Sequence, residues 1–80
     1  MNRDELQRHL RDAGIREDVY QLAGGLPNER LVLAEEGGEW LVYYSERGER
    51  TGLRRFENEG EANDYFFRTI DGMPEAHDRG

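Results

Sequence analysis

The chain has no cysteine, no lysine, a single serine, two histidines and two prolines among its 80 residues. Without cysteine there is neither a disulfide framework nor a thiolate metal site to brace a small core, and no thiol nucleophile. Ser45 has no strand-to-helix elbow around it, so Ser-His-Asp catalysis lacks its parts. His9 and His77 have no ligating residues at a useful spacing, so no metal and no cofactor are expected. His9 falls beside Leu6 and Ala13 and reads as an edge-of-core residue. Long apolar runs are missing too: no window approaches the ~20 residues of a membrane span, and Met1-Asn2-Arg3-Asp4-Glu5 is charged where a signal peptide needs an apolar stretch. A cytoplasmic protein outside the membrane is expected.

What the chain does have is charge. Eighteen acids stand against eleven bases, every base an arginine, for a formal charge of −7. That balance repels phosphate backbones and steers basic partners inward, although acidity also serves plain solubility. Apolar residues make up 35% of the chain and charged residues 36%. A chain of this length buries only roughly 60% of its unfolded surface and exposes roughly 5,000 Å² when folded. There is room for one domain with one thin core, built from large side chains such as Trp40, Tyr43, Tyr44, Phe56, Phe66 and Phe67.

The chain opens on a helix. Asn2 is placed to cap it, Glu5 completes a capping box, and Leu6, Leu10 and Ala13 share one face, with Gly14 as the stop and Ile15 as its apolar contact. Residues 19–22 read as a short strand, and Gly24-Gly25-Leu26-Pro27-Asn28 as a loop. Two β-rich runs, 31–35 and 40–45, flank Gly37-Gly38, a pair that suits a two-residue hairpin turn. A second turn at Arg47-Gly48 leads into a strand from Arg50 to Phe56, with its register left open, because a three-residue loop would shift every pair by one. The last helix starts near Asn58, with Glu61 completing another capping box. It buries Ala62, Tyr65, Phe66, Thr69 and Ile70 and ends by Gly72. Residues 73–80 show no periodicity and are expected to form a disordered tail to the domain at 1–72.

The fold class that follows is α+β: an antiparallel sheet of about four strands, a β-meander, packed by N- and C-terminal helices. With Gly37 and Gly38 as the turn, Leu33 faces Val42, Leu31 faces Tyr44 and Glu35 faces Trp40 on one side, while Val32 with Tyr43 and Ala34 with Leu41 occupy the other. Both faces are apolar. The set containing the tryptophan is assigned to the core beneath the helices. The other face leaves two readings: Tyr43 is an aromatic anchor on a binding surface ringed by Glu35, Glu36 and Glu39, or helices cover both faces or a register shift inverts them.

Catalytic constellations are sparse, and a non-enzyme is expected. Glu46, with Tyr43, Tyr44, Ser45, Arg47 and Arg50 nearby, is the one cluster combining acid, base and oxyanion candidates, but alternating charges beside a turn also make a solvated, strand-repelling edge. Arg47, Arg50, Arg54 and Arg55 concentrate bases on one hairpin and carry the alternative reading of a small nucleic-acid-binding or RNA-processing domain. Glu46, Glu49 and Glu57 interleave with them, and the net charge opposes it. The acids are the more concentrated group: Glu57, Glu59, Glu61 and Asp64 with no base among them, and Glu35, Glu36 and Glu39 around the first hairpin turn. Helix-dipole complementarity accounts for Glu59 and Glu61, but not for the hairpin acids.

The segments GLPNER at 25–30, EEGGEWLVYYSERGERTGLRRF at 35–56 and EANDYF at 61–66 resemble small bacterial proteins of polymorphic-toxin and contact-dependent-inhibition loci, with VYYSERGER at 42–50 the most specific part. The resemblance implies a cytosolic immunity protein, monomeric when free, that binds a basic toxin domain such as a nuclease in a one-to-one complex and contributes no catalytic residues of its own. An interaction domain unrelated to toxins makes the same prediction of binding without turnover.

Overall fold

Asn2 starts the first helix, α1 (Arg3–Asp12), by accepting a hydrogen bond from Glu5 N–H at 2.8 Å while the Glu5 carboxylate accepts from Asn2 N–H at 3.0 Å. This is the expected capping box. At the other end Gly14 takes φ 73°, Ile15 N–H reaches back to Leu10 O at 2.9 Å and Gly14 N–H to Arg11 O at 3.0 Å. These two bonds form a Schellman closure, with Leu10 and Ile15 both buried as its apolar pair. The computed structural model describes residues 1–78. After a 3₁₀ turn at Glu17–Val19 come strands β1 (Tyr20–Gln21), β2 (Arg30–Glu36), β3 (Glu39–Glu46) and β4 (Glu49–Phe56), then helix α2 (Glu59–Asp71) and a 3₁₀ turn at Pro74–Ala76.

The strands lie in chain order in one sheet. The β2–β3 register matches the expected one residue for residue, with Leu33 opposite Val42 and Val32 opposite Tyr43. Both tight turns place two successive residues at positive φ: Gly37 and Gly38 at 60° and 84°, Arg47 and Gly48 at 52° and 75°. That conformation follows the twist of the flanking strands. The open register of β3–β4 resolves through a bulge: Val42 pairs with Arg54 but Tyr44 with Thr51, so Gly52 and Leu53 together oppose Tyr43. Gly52, at φ 65°, is the extra residue. It shifts the alternation by one, which turns Phe56 toward α2, 5.3 Å from the Tyr65 ring, and Leu53 toward the opposite face.

The architecture is α+β, but the sheet is mixed and not wholly antiparallel. β1 runs parallel to β2, pairing Tyr20 with Leu31 and Gln21 with Val32. Parallel neighbours cannot be joined by a hairpin, so the connection at 22–29 has to cross over a face of the sheet.

One face of the sheet meets both helices. Leu31, Leu33 and Val42 pack with Leu6, Leu10, Ala62, Phe66 and Ile70, and Tyr20 lies edge-on to Phe66 at 6.4 Å. The expected disordered tail is a correction. From Met73 to Asp78 the chain folds back onto the core, Ala76 is fully buried, Ile15 bridges His77, and Arg16 N–H donates to Ala76 O at 2.8 Å. One small apolar side chain and a few backbone bonds suffice to anchor six residues, a signal too weak for periodicity to register. Residues 79 and 80, the rest of that expected tail, lie outside the described residues.

Candidate functional site

Tyr43 settles the nature of the second sheet face. It is 1% exposed, within a small cluster of Val32, Ala34, Leu41 and Leu53. The expectation that it forms part of a binding surface is therefore overturned. The cover is neither a helix nor a shifted register but the 22–29 crossover: Gly24 is buried against the Ala34 methyl, its N–H donates to Leu33 O at 3.0 Å, and Gln21 Nε2 donates to Gly24 O. The Tyr43 hydroxyl donates to Gly25 O at 2.6 Å. From β4, Arg50 lays its guanidinium 4.6 Å above the Tyr43 ring and holds Glu36 at 2.6 Å. Arg50 keeps the Glu36 carboxyl below its ordinary range, and burial raises the Tyr43 phenol.

With Tyr43 in the interior and Glu36 held by Arg50, the other expected contact residues divide by position. Asp64, on α2, is paired with the Met1 ammonium at 3.3 Å. Glu35, Glu39, Glu57, Glu59 and Glu61 enter no ion pair among the described residues. Most of them lie at the end of the sheet marked by Trp40. It pairs with Glu35 on β2 and with Phe56 on β4, so the first hairpin turn and the chain entering α2 share one end of the sheet. Glu39 precedes Trp40 and Glu57 follows Phe56 at that end. Asn58, accepting from Glu61 N–H at 2.8 Å, turns the chain into α2 and sets Glu59 and Glu61 in its first turn. A cleft of about 400 Å³ opens there, lined by Glu35, Glu59, Trp40, Leu22, Leu33 and Arg3 among others. Its floor is apolar and its rim carries two carboxylates and one guanidinium.

Trp40 was expected in the core, and it packs against the core, but it is only partly buried and its remaining surface lines this cleft. The Glu35–Trp40 pairing was legible in the hairpin. The convergence of Glu59, Leu22 and Arg3 on it was not, because three separate elements supply them.

The other candidates are dispersed. His9 is exposed and lies against Phe67 at 5.7 Å, and no group of three His, Cys, Asp or Glu among the described residues could hold a metal ion. In the arginine hairpin Arg50 is committed to Glu36 and Tyr43, and Arg54 stacks 5.4 Å from the Tyr65 ring. Two of its four cations are thus engaged within the fold. No helix among the described residues is long and apolar enough to cross a membrane. The chain matches no protein-family model, no curated protein and no solved structure.

Proposed function

We propose that the chain is a binding module without catalytic activity, an immunity-type protein that neutralises a toxin domain by stoichiometric occlusion, and that the acidic end of the sheet receives a basic partner such as a nuclease. One observation carries the reading: Glu35 and Glu59, distant in sequence, line one cleft beside Trp40, Glu39 and Glu57 lie next to it along the chain, and none of the four enters an ion pair among the described residues. Carboxylates outside any ion pair beside an apolar floor offer steering at the rim and dry contact at the centre. The identity of the partner as a toxin comes from the resemblance at 25–30, 35–56 and 61–66. Size is compatible: the chain exposes 5145 Å², so an interface of ~800 Å² would cover about a sixth of it.

The test is the protein encoded beside this chain. Co-expression should rescue cells from that protein, and the purified pair should associate one to one. Reversing Glu35, Glu39 and Glu59 to lysine together should slow association about tenfold or more at low ionic strength, with the difference closing as salt is added. A neighbour that is neither toxic nor bound, or a triple variant that associates at the unchanged rate, would sink the proposal.

A further inference from the structure

The last carbonyls of a helix have no amide in a following turn to accept from, and the chain must supply donors for them. At the end of α1 the Schellman closure serves Leu10 and Arg11 but not Ala13, and at the end of α2 the carbonyl of Asp71 is likewise outside the backbone bonds. Both converge on one side chain. His77 sets Nδ1 3.2 Å from Ala13 O and Nε2 2.8 Å from Asp71 O, with the Asp71 carboxylate 3.4 Å from the same Nε2.

A neutral imidazole has one N–H and one lone pair. In either tautomer it would set a lone pair against one of these two oxygens, acceptor facing acceptor. Only the imidazolium donates to both. Each oxygen also lies at the negative end of a helix dipole, which favours the cation further. Each neighbouring element carries charged residues. α2 contributes Asp71, in contact with the ring, and Arg68, which donates to Asp64 O. α1 contributes His9, turned onto Phe67, together with Asp12 and Arg11, the latter lining a cleft with Glu17, Tyr20 and Asp78 next to the segment. From the following loop, Arg16 is held by Asp18 at 2.8 Å and donates to the Glu75 carbonyl. Glu75 and Asp78 belong to the segment that carries the ring. Besides the ring's own bonds, that segment is held by the two bonds of the Ile15–His77 bridge, Arg16 N–H to Ala76 O at 2.8 Å and Asp78 N–H to Gly14 O at 2.7 Å, and by the Arg16 guanidinium on Glu75 O.

We propose that His77 is a pH-sensitive latch: doubly protonated, it clamps residues 73–78 across the C-terminal ends of both helices, and on losing its proton it frees this segment and uncovers the part of the core that Ala76 fills. The carbonyl of Asp71, that of Ala13 and the Asp71 carboxylate hold the ring above the ordinary histidine range, against a smaller opposing effect of burial. A group raised on folding stabilises fully below its unfolded value, about 6.5, and the contribution is lost as pH rises through the higher folded value. The latch therefore closes on the acid side of neutrality and opens on the alkaline side.

NMR of the intact chain tests this by following the His77 ring and the Arg16 and Asp78 amides from about pH 5 to about pH 9. The ring should titrate above an unfolded histidine. With the intrinsic effect of pH on exchange removed, protection of both amides should fall, by at most about tenfold per pH unit, between the unfolded value and the point at which the ring itself titrates, and level off above it, while amides in β2 and β3 hold theirs. His77→Lys, which keeps charge and donors, should leave protection flat with pH, and His77→Leu should lower it throughout. A ring that titrates at or below the unfolded value, or amide protection in the wild-type chain indifferent to its protonation, would overturn the latch whether or not either variant folds.

Discussion

Removing the Tyr43 hydroxyl, and then the ring, separates the interior role of this residue from a surface one. Tyr43→Phe deletes the 2.6 Å bond to Gly25 O, the one side-chain bond between the sheet and the 25–28 part of the crossover that runs through Tyr43. A neutral hydrogen bond of this kind contributes about 1 kcal/mol, which in a domain of this size lowers the thermal midpoint by about 4–8 °C. Tyr43→Ala removes the ring as well. Truncating a buried aromatic costs about 3–5 kcal/mol. Loss of the Arg50 contact adds about 0.5–1 kcal/mol. An 80-residue domain has about 4–12 kcal/mol in all, so the alanine variant should be close to unfolded at the lower end of that range. Circular dichroism with urea and heat measures the global loss. Exchange at the Gly24 amide, which donates to Leu33 O, reports whether the crossover lifts first. Association of Tyr43→Phe with a basic partner should be unchanged, because the acids around Trp40 are untouched. An alanine variant that loses less than about 1 kcal/mol yet binds a partner markedly more weakly would refute the assignment of Tyr43 to the interior.

Gly52 and Gly60 should respond oppositely to alanine. Gly52 sits at φ 65° with open space around a new Cβ, so Gly52→Ala should cost about 1–2 kcal/mol from backbone strain alone, and Gly52→Asn less, read from the urea midpoint. Gly60, in α2 at ordinary φ with its nearest neighbour at 3.6 Å, should gain about 0.5–1 kcal/mol as alanine. The Glu36–Arg50 pair predicts a pH dependence of the sign opposite to that of His77. Glu36 is lowered on folding, so its contribution is present above the unfolded carboxylate value, about 4.3, and is lost as pH falls through the lower folded value. The stability difference between the wild type and Glu36→Gln should accordingly shrink on acidification. A difference constant from neutral pH down would show that the ion pair does not form.

Local chemistry made much of the fold legible. Asn2 with Glu5, Gly14 with Ile15, Asn58, Gly37-Gly38 and Arg47-Gly48 each act through the few residues on either side, and all but Arg47, held at positive φ by its turn, sit in the conformation their residue type favours. The two-residue turn at Gly37-Gly38 was enough to register β2 against β3, and the larger apolar set with Trp40 to assign Leu31, Leu33 and Val42 to the helix-covered face. The Gly52 bulge was harder, since the strand alternation around Leu53 and Phe56 is readable only once the extra residue is known.

The charge of −7, the absence of cysteine and the single thin core are properties of composition, determined by the sequence with no reference to neighbours in space. What covers the Tyr43 face, which acids are free, and where residues 73–78 lie were decided by the tertiary structure. A glycine-rich crossover has no periodicity to show that it folds onto a sheet, yet the parallel pairing of β1 with β2 leaves it no other route. Arg50 neutralises Glu36 rather than Glu35 because successive residues of a strand point to opposite faces and Arg50 shares the face of Glu36. The meeting of Glu35 with Glu59 beside Trp40, and of His77 with two helix ends, each joins groups from separate elements. Such distances are set by how the elements pack, which the order of residues along the chain does not display.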